Sequence, residues 1–219
     1  MPKHLQRELD NIKKRILSLG ANVEERVHKV GGIIESRDIY DANRLIKEDV
    51  EIDDQEVEIE EECLKILALH QPVAVDLRFL IAVIKINNDL ERIADEAVNV
   101  AQRVLTMAKH SADIDFTLEY TPMVEKVAVM LKGSLDSLIN MDTDMAFKIV
   151  IQDDDVDEIH TEAYRRVKAA IKDHPDWVSY LVNMYLISRH LERIGDHTTN
   201  IAEEVIYMIE GEIVRHSEY

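Results

Sequence analysis

The 219-residue sequence predicts an all-α fold of six long helices, arranged as two tandem three-helix bundles related by an internal duplication. Three observations carry this. Turn-forming residues are scarce, with six glycines and four prolines, while Leu, Ile, Val, Ala, Glu and Lys run on in long stretches. A sandwich or barrel needs turn signals about every 8–12 residues, and the chain has no such rhythm. Finally, the phrase "DLERIADEAVNVAQRV" (Asp89–Val104) returns 101 residues later as "HLERIGDHTTNIAEEV" (His190–Val205). Self-similarity of this kind marks a repeated structural unit.

The elements follow in order. The first helix is expected from about Lys3 to Glu35, because Leu5, Leu9, Ile12, Ile16, Leu19, Val23, Val27 and Val30 recur in steps of three and four. After a break near Ser36–Asp38, a second helix runs to about Leu69 and stops at "HQP", since proline cannot continue it. The third spans about Asp76–Lys109. "HSADIDFT" is polar and irregular and reads as the linker, which divides the chain into a first bundle at 1–110 and a second at 111–219. The fourth helix starts near Thr121-Pro122, with proline at the first helical position, and ends at Asn140. The fifth runs from about Asp142 to "KDHPD", and the sixth from about Pro175 to beyond Val214. In each half the second and third helices are joined by a short His/Pro turn, which makes an antiparallel hairpin.

Composition narrows the function. With 46 % hydrophobic residues the chain can bury a real core, as one large domain or two of about 110 residues each. Forty-four acids against 26 lysines and arginines leave a formal charge of −18, a field that repels nucleic-acid phosphates and suits cations or basic protein surfaces. Cys63 is the single cysteine, so neither an intrachain disulfide nor a cysteine zinc site is expected. The N-terminus lacks a signal-peptide apolar core. The most apolar run, Phe79–Ile84, stops at Lys85, well short of the roughly 20 residues of a membrane span. A cytoplasmic protein that does not insert into a membrane is expected.

The repeated phrase carries acids at matching places: Glu91 and Asp95 in one copy, Glu192 and Asp196 in the other. "DVEID" (Asp49–Asp53) and "DDDVD" (Asp153–Asp157) also match. Asp53 lies 19 residues before Pro72 and Glu91 19 after; Asp49 lies 23 before and Asp95 23 after. At a constant helical rise of ~1.5 Å per residue, the four reach one level of the hairpin. About Pro175, Asp157 and Asp153 stand 18 and 22 before, and Glu192 and Asp196 17 and 21 after. Like charges at i and i+4 share a helix face and repel. Solvent or bound cations could offset that.

A helical wheel places these acids beside the stripe of Leu90, Ile93, Ala94, Ala97, Val98 and Ala101, at the rim of the seam. That position suits an exposed metal site and equally a solvated face. All-oxygen ligands favour hard cations such as magnesium, manganese, calcium or ferric iron. Asn99 and Asn200 would extend each row by one turn. His190 and His197 point away from the rows and read as surface or core residues. Only one Glu-x-x-His pair occurs, Glu25–His28, which disfavours ferritin-type chemistry. "VGGI" at Val30–Ile33 lacks the rest of a phosphate loop, and no nucleophile–base pattern is evident. The sequence therefore gives no positive sign of an enzyme.

The stretches "HQPVAVDLRFLIAVIKINNDLERIADEAVNVA" (His70–Ala101) and "SRHLERIGDHTTNIAEEVIYMIEGEIVRH" (Ser188–His216) resemble the PhoU family, the phosphate-transport accessory proteins of bacteria and archaea. The resemblance covers nearly the whole chain. It rests on a duplicated ERI[GA]D-x-x-x-N phrase and on QP-x-x-x-DLR in the first half only. Ala94 stands where the family usually has glycine, as at Gly195. The resemblance implies two three-helix bundles with metal clusters on Asp49, Asp53, Glu91 and Asp95 in one half and on Asp153, Asp157, Glu192 and Asp196 in the other. Iron is the metal it favours, with manganese, magnesium, calcium and zinc as alternatives.

The implied role is negative regulation of the phosphate-starvation response. The protein would act between the phosphate ABC transporter's ATPase and a sensor histidine kinase, as a homodimer held at the inner membrane through its partners. Two other readings compete with this one. The first is a metal-free helical scaffold that docks partners through acidic faces. The second is a metallo-hydrolase or iron-storage protein.

Overall fold

The computed structural model describes residues 3–109 and 114–212. The expected boundary between residues 110 and 111, the first half of the expected linker, and the last helix beyond residue 212 lie outside the described residues. The described chain is helical, with no strand among its described residues: α1 (Lys3–Ser36), α2 (Ile39–Lys47), α3 (Val50–His70), α4 (Val75–Met107), α5 (Thr121–Asn140), α6 (Thr143–Asp173) and α7 (Val178–Glu210). A short 3-10 turn at Pro175–Trp177 precedes α7, so that helix begins three residues later than expected.

The expected second helix is two helices. Its break at Glu48–Asp49 has no glycine or proline to announce it. It is held from α1, where the buried Arg26 donates to the Glu48 carbonyl and to Asp49 Oδ1. Elsewhere the ends follow local chemistry. The Asp38 side chain accepts from the amides of Tyr40 and Asp41 at the start of α2, and Asp142 accepts from Met145 at the start of α6. Gln71 and Met141 take left-handed conformations at the ends of α3 and α5.

Pairings across the elements show antiparallel order throughout. Along α1 and α3, Asn22 meets Gln55 and Arg26 meets Asp49. Along α6 and α7, His160 meets Ser188 and Tyr164 meets Tyr185. The α1, α3 and α4 helices form the first bundle, with α2 packed on α4, and α5, α6 and α7 form the second. Every residue of the expected α1 stripe is buried, from Leu5 to Val30. One continuous core runs through both halves.

Two seams join the bundles. Along α1 and α5, Gly20 lies so close to Leu135 that a Cβ there would fall 2.7 Å from its side chain. The larger seam is α4 against α7.

Candidate metal centres

In the first bundle α3 and α4 bring Asp49, Asp53, Glu91 and Asp95 within electrostatic reach of one another. Burial pushes the Asp49 carboxyl up, and Asp53 and Asp95 add to that against the pull of Arg26. Burial also raises Glu91, with Asp95 and Asp53 contributing, and raises Asp95, with Asp53 contributing. In the second bundle α6 and α7 do the same. Burial pushes the Asp153 carboxyl up to about 7, helped by Asp196, Asp157 and Glu192. Glu192 and Asp196 are also raised, first by burial and then by their acidic neighbours. Each cluster therefore holds negative charges that the fold itself drives together. Glu91 and Asp153 are half-buried, while Asp157 and Asp196 are exposed, so the clusters sit at the rim of the helical seams.

The donor set fits a hard cation. Asp153 Oδ1 is buried and accepts no hydrogen bond, and such an atom costs free energy until something positive reaches it. Glu91 Oε2 also accepts no hydrogen bond but has Arg92 Nε at 3.5 Å. Among the described residues, however, no three histidine, cysteine, aspartate or glutamate side chains converge closely enough, as they stand, to hold a metal ion. These are carboxylate clusters and not preformed chelates. Loading them would take side-chain rotation, which rim positions permit.

Gly195 belongs to this geometry. A Cβ at that position would lie 3.0 Å from Asp153 Oδ1. Gly195→Ala gains helix propensity but crowds the carboxylate, so stability should stay within about 1 kcal/mol of wild type. Stabilisation by added manganese should fall. Thermal melts with and without Mn²⁺ read both effects.

Asn99 and Asn200 turn elsewhere. The Asn99 amide donates to Glu96, and the Asn200 amide to Asp89, across or beside the α4–α7 seam. That seam is polar in a way the sequence reading missed. His190 Nδ1 lies 2.6 Å from Glu96 Oε2, and Arg193 Nη1 lies 2.7 Å from Glu96 Oε1. His197 Nδ1 lies 2.9 Å from Asp89 Oδ1, and Lys85 Nζ reaches Glu204 at 3.2 Å. Burial pushes Glu96 up, but the His190 hydrogen bond and the Arg193 charge outweigh it and hold the carboxyl below its ordinary value.

A signal for this was present in the repeat. A displacement of 101 maps Asp89 onto His190 and Glu96 onto His197. The duplicated helices have exchanged acids for histidines where they face each other, so α4 supplies the carboxylates and α7 the imidazoles.

Comparison with known proteins agrees with the repeat. The PhoU domain family model matches residues 16–104 and again 121–205. A phosphate-specific transport system accessory protein PhoU homolog from Clostridium acetobutylicum is 34 % identical over 215 residues, covering 97 % of each chain. The crystal structure of PhoU from Pseudomonas aeruginosa superposes with a TM-score of 0.90 at 34 % identity, over 94 % of this chain and 99 % of that one. The crystal structure of the phosphate transport system regulatory protein PhoU from Streptococcus pneumoniae gives 0.89 at 27 % identity, over 96 % and 99 %. Two copies of one domain, in the order and at the places where the acidic phrases repeat, put this chain in the PhoU family.

Proposed function

We propose that this chain is a metal-binding regulatory adaptor of phosphate uptake. It is a negative regulator of the phosphate-starvation response that links the phosphate ABC transporter's ATPase to a sensor histidine kinase. It works without catalysis, as a cytoplasmic homodimer brought to the inner membrane by its partners. The phosphate role is supported by its relatives, which are phosphate-specific transport accessory or regulatory proteins. Among the described residues no helix is long and apolar enough to cross a membrane, which agrees with a peripheral adaptor.

The observation that carries the metal reading is the buried, partnerless oxygen of Asp153, set among three further acids. Bound cations, iron foremost, would neutralise and bridge the carboxylates. The chain's own part is to hold Asp153 and Asp157 on α6 level with Glu192 and Asp196 on α7, and likewise Asp49 at the start of α3 and Asp53 on α3 level with Glu91 and Asp95 on α4. Binding to the folded state alone stabilises it, by about 2.7 kcal/mol at 100 times Kd. For a chain of this size that is a rise in Tm of about 5–10 °C. Metal analysis of the isolated protein, with melts in chelator and in Fe or Mn, tests it. An unmoved Tm and metal-free protein would sink the cluster reading.

The scaffold reading is favoured by one observation: Arg26 already lies on Asp49, so at least one cluster accepts a guanidinium. A pull-down with the transporter ATPase, run in chelator, separates the two. Capture that needs no metal, and is lost when the acids are neutralised, would favour the scaffold.

A further inference from the structure

We infer that Arg26 is a resident cation of the first cluster, which makes the two clusters unequal as metal sites: the second loads first, and the first loads only in competition with the guanidinium. The inference rests on the metal-binding reading above and concerns how the chain's own residues tune it.

The two sites match closely in sequence, but their surroundings do not. In the first, Arg26 reaches across from α1 and is only 6 % exposed. Its Nη1 donates to Asp49 Oδ1 at 2.8 Å, and its Nη2 donates to the Glu48 carbonyl at the α2–α3 junction. The guanidinium is thus tied to a side chain and to backbone at once. Arginine does not lose its charge in a protein, and its planar fork suits this two-point attachment. Arg92 adds a second, looser cation at the rim, 3.5 Å from Glu91 and 3.4 Å from Asp95. It is half-exposed and free to swing into water. Arg26 is not, because leaving Asp49 would strand a buried charge.

The second cluster has no counterpart. Among the described residues, no arginine or lysine forms an ion pair with Asp153, Asp157, Glu192 or Asp196. The position beside Asp153 is lined by Gly195, Val127 and Val156. Asp153 Oδ1 is buried and partnerless. The first site therefore has two guanidiniums in ion pairs with its carboxylates, whereas Arg189 and Arg193 act on Glu192, and Arg193, His160 and His197 on Asp196, only from beyond ion-pair distance. A cation entering the second site relieves repulsion without displacing an ion pair, and it reaches Asp153, whose raised carboxyl has only acids as charged neighbours. A cation entering the first must compete for Asp49 with a group the fold has already placed there.

Manganese titration of the full chain, counting free Mn²⁺ by its electron paramagnetic resonance signal, tests this. Wild type should take up Mn²⁺ in two phases whose affinities differ by at least about tenfold. Asp153→Asn with Asp157→Asn should abolish the tight phase and leave the weak one. Arg26→Gln keeps a hydrogen-bonding group but removes the charge, and should tighten the weak phase by about tenfold or more. Arg26→Lys keeps the charge and should stay near wild type. A weak phase that Arg26→Gln leaves unchanged or weakens would show Arg26 to be a mere brace for Asp49 and would overturn the inference. So would a tight phase that survives in the Asp153/Asp157 variant, a comparison that holds even if Arg26→Gln fails to fold. If neither wild type nor Arg26→Gln takes up Mn²⁺ at all, the metal reading itself falls.

Discussion

In metal-free buffer at pH 8, Asp153→Asn is expected to be more stable than wild type by about 2 kcal/mol, and added metal is expected to reverse the order. Burial and the neighbouring acids push the Asp153 carboxyl up from 3.8 to about 7 in the fold. The unfolded chain therefore releases this proton near pH 4, while the folded chain keeps it until near pH 7. Across that window the folded state binds more protons, so wild-type stability falls as pH rises and levels off above pH 7. The whole interval is worth ~4 kcal/mol at 1.36 kcal/mol per unit, and water at the open rim screens it to about 2 kcal/mol. Asparagine has the same shape and no charge to lose. The gap between variant and wild type should accordingly be near zero at pH 4 and full at pH 8, about 4–8 °C in Tm. Urea unfolding at both pH values in chelator measures it. With Mn²⁺ at a level that fills only the tight second site, wild type should gain stability and the variant little. A variant less stable than wild type at pH 8 without metal would mean that the Asp153 carboxylate has a favourable partner in the fold, and the argument from repulsion would fail.

The level at which these acids meet was legible from counting alone. The rise per residue of a helix is nearly constant, so equal distances from Pro72, and nearly equal ones from Pro175, bring residues to one level of an antiparallel hairpin. The apolar stripe of α1 was legible for the same kind of reason: Leu5 to Val30 follow a fixed period, and one face of α1 is all that the core covers. Glu96 was not legible. It lies off the stripe of α4, on a face that a single-helix wheel reads as solvated. That face is closed by α7, which arrives from about a hundred residues away. His190 and His197 were read as bystanders because the wheel shows only that they avoid the acid row. Their partners are on α4, and only the exchange of acid for histidine between repeats hints at it. The break at Glu48–Asp49 was hidden too. Its cause is a side chain from another helix, Arg26, and not a local residue with a turn preference.

Glu96→Gln should lower stability by about 2 kcal/mol at pH 7, a fall in Tm of about 4–8 °C. Glu96 is 3 % exposed and accepts from His190 with one oxygen and from Arg193 with the other. Glutamine fills the same volume, but its amide nitrogen must face one of these two donors, and the buried negative charge is gone. Breaking a buried pair by removing one partner costs about 3–5 kcal/mol. Arg193 is half-exposed and can turn to water, which brings the expectation down to about 2. The pH dependence separates lost charge from lost packing. Glu96 is held below its ordinary value of 4.5 in the fold. Its contribution is therefore complete above the unfolded value and disappears as pH falls through the folded one. The gap between variant and wild type should be full at pH 7 and should close once the medium is acid enough to protonate the carboxyl in both states. A packing defect would persist in acid. Glu158→Gln, on the exposed face of α6, should change stability by less than about 0.5 kcal/mol at either pH and serves as the control. Glu96 directly follows Asp95, and His197 directly follows Asp196, so the seam and the clusters share the same turns of α4 and α7. A Glu96→Gln protein that melts early yet still gains its full stabilisation from Mn²⁺ would show that the seam sets how firmly the bundles join and leaves the clusters to assemble within each hairpin.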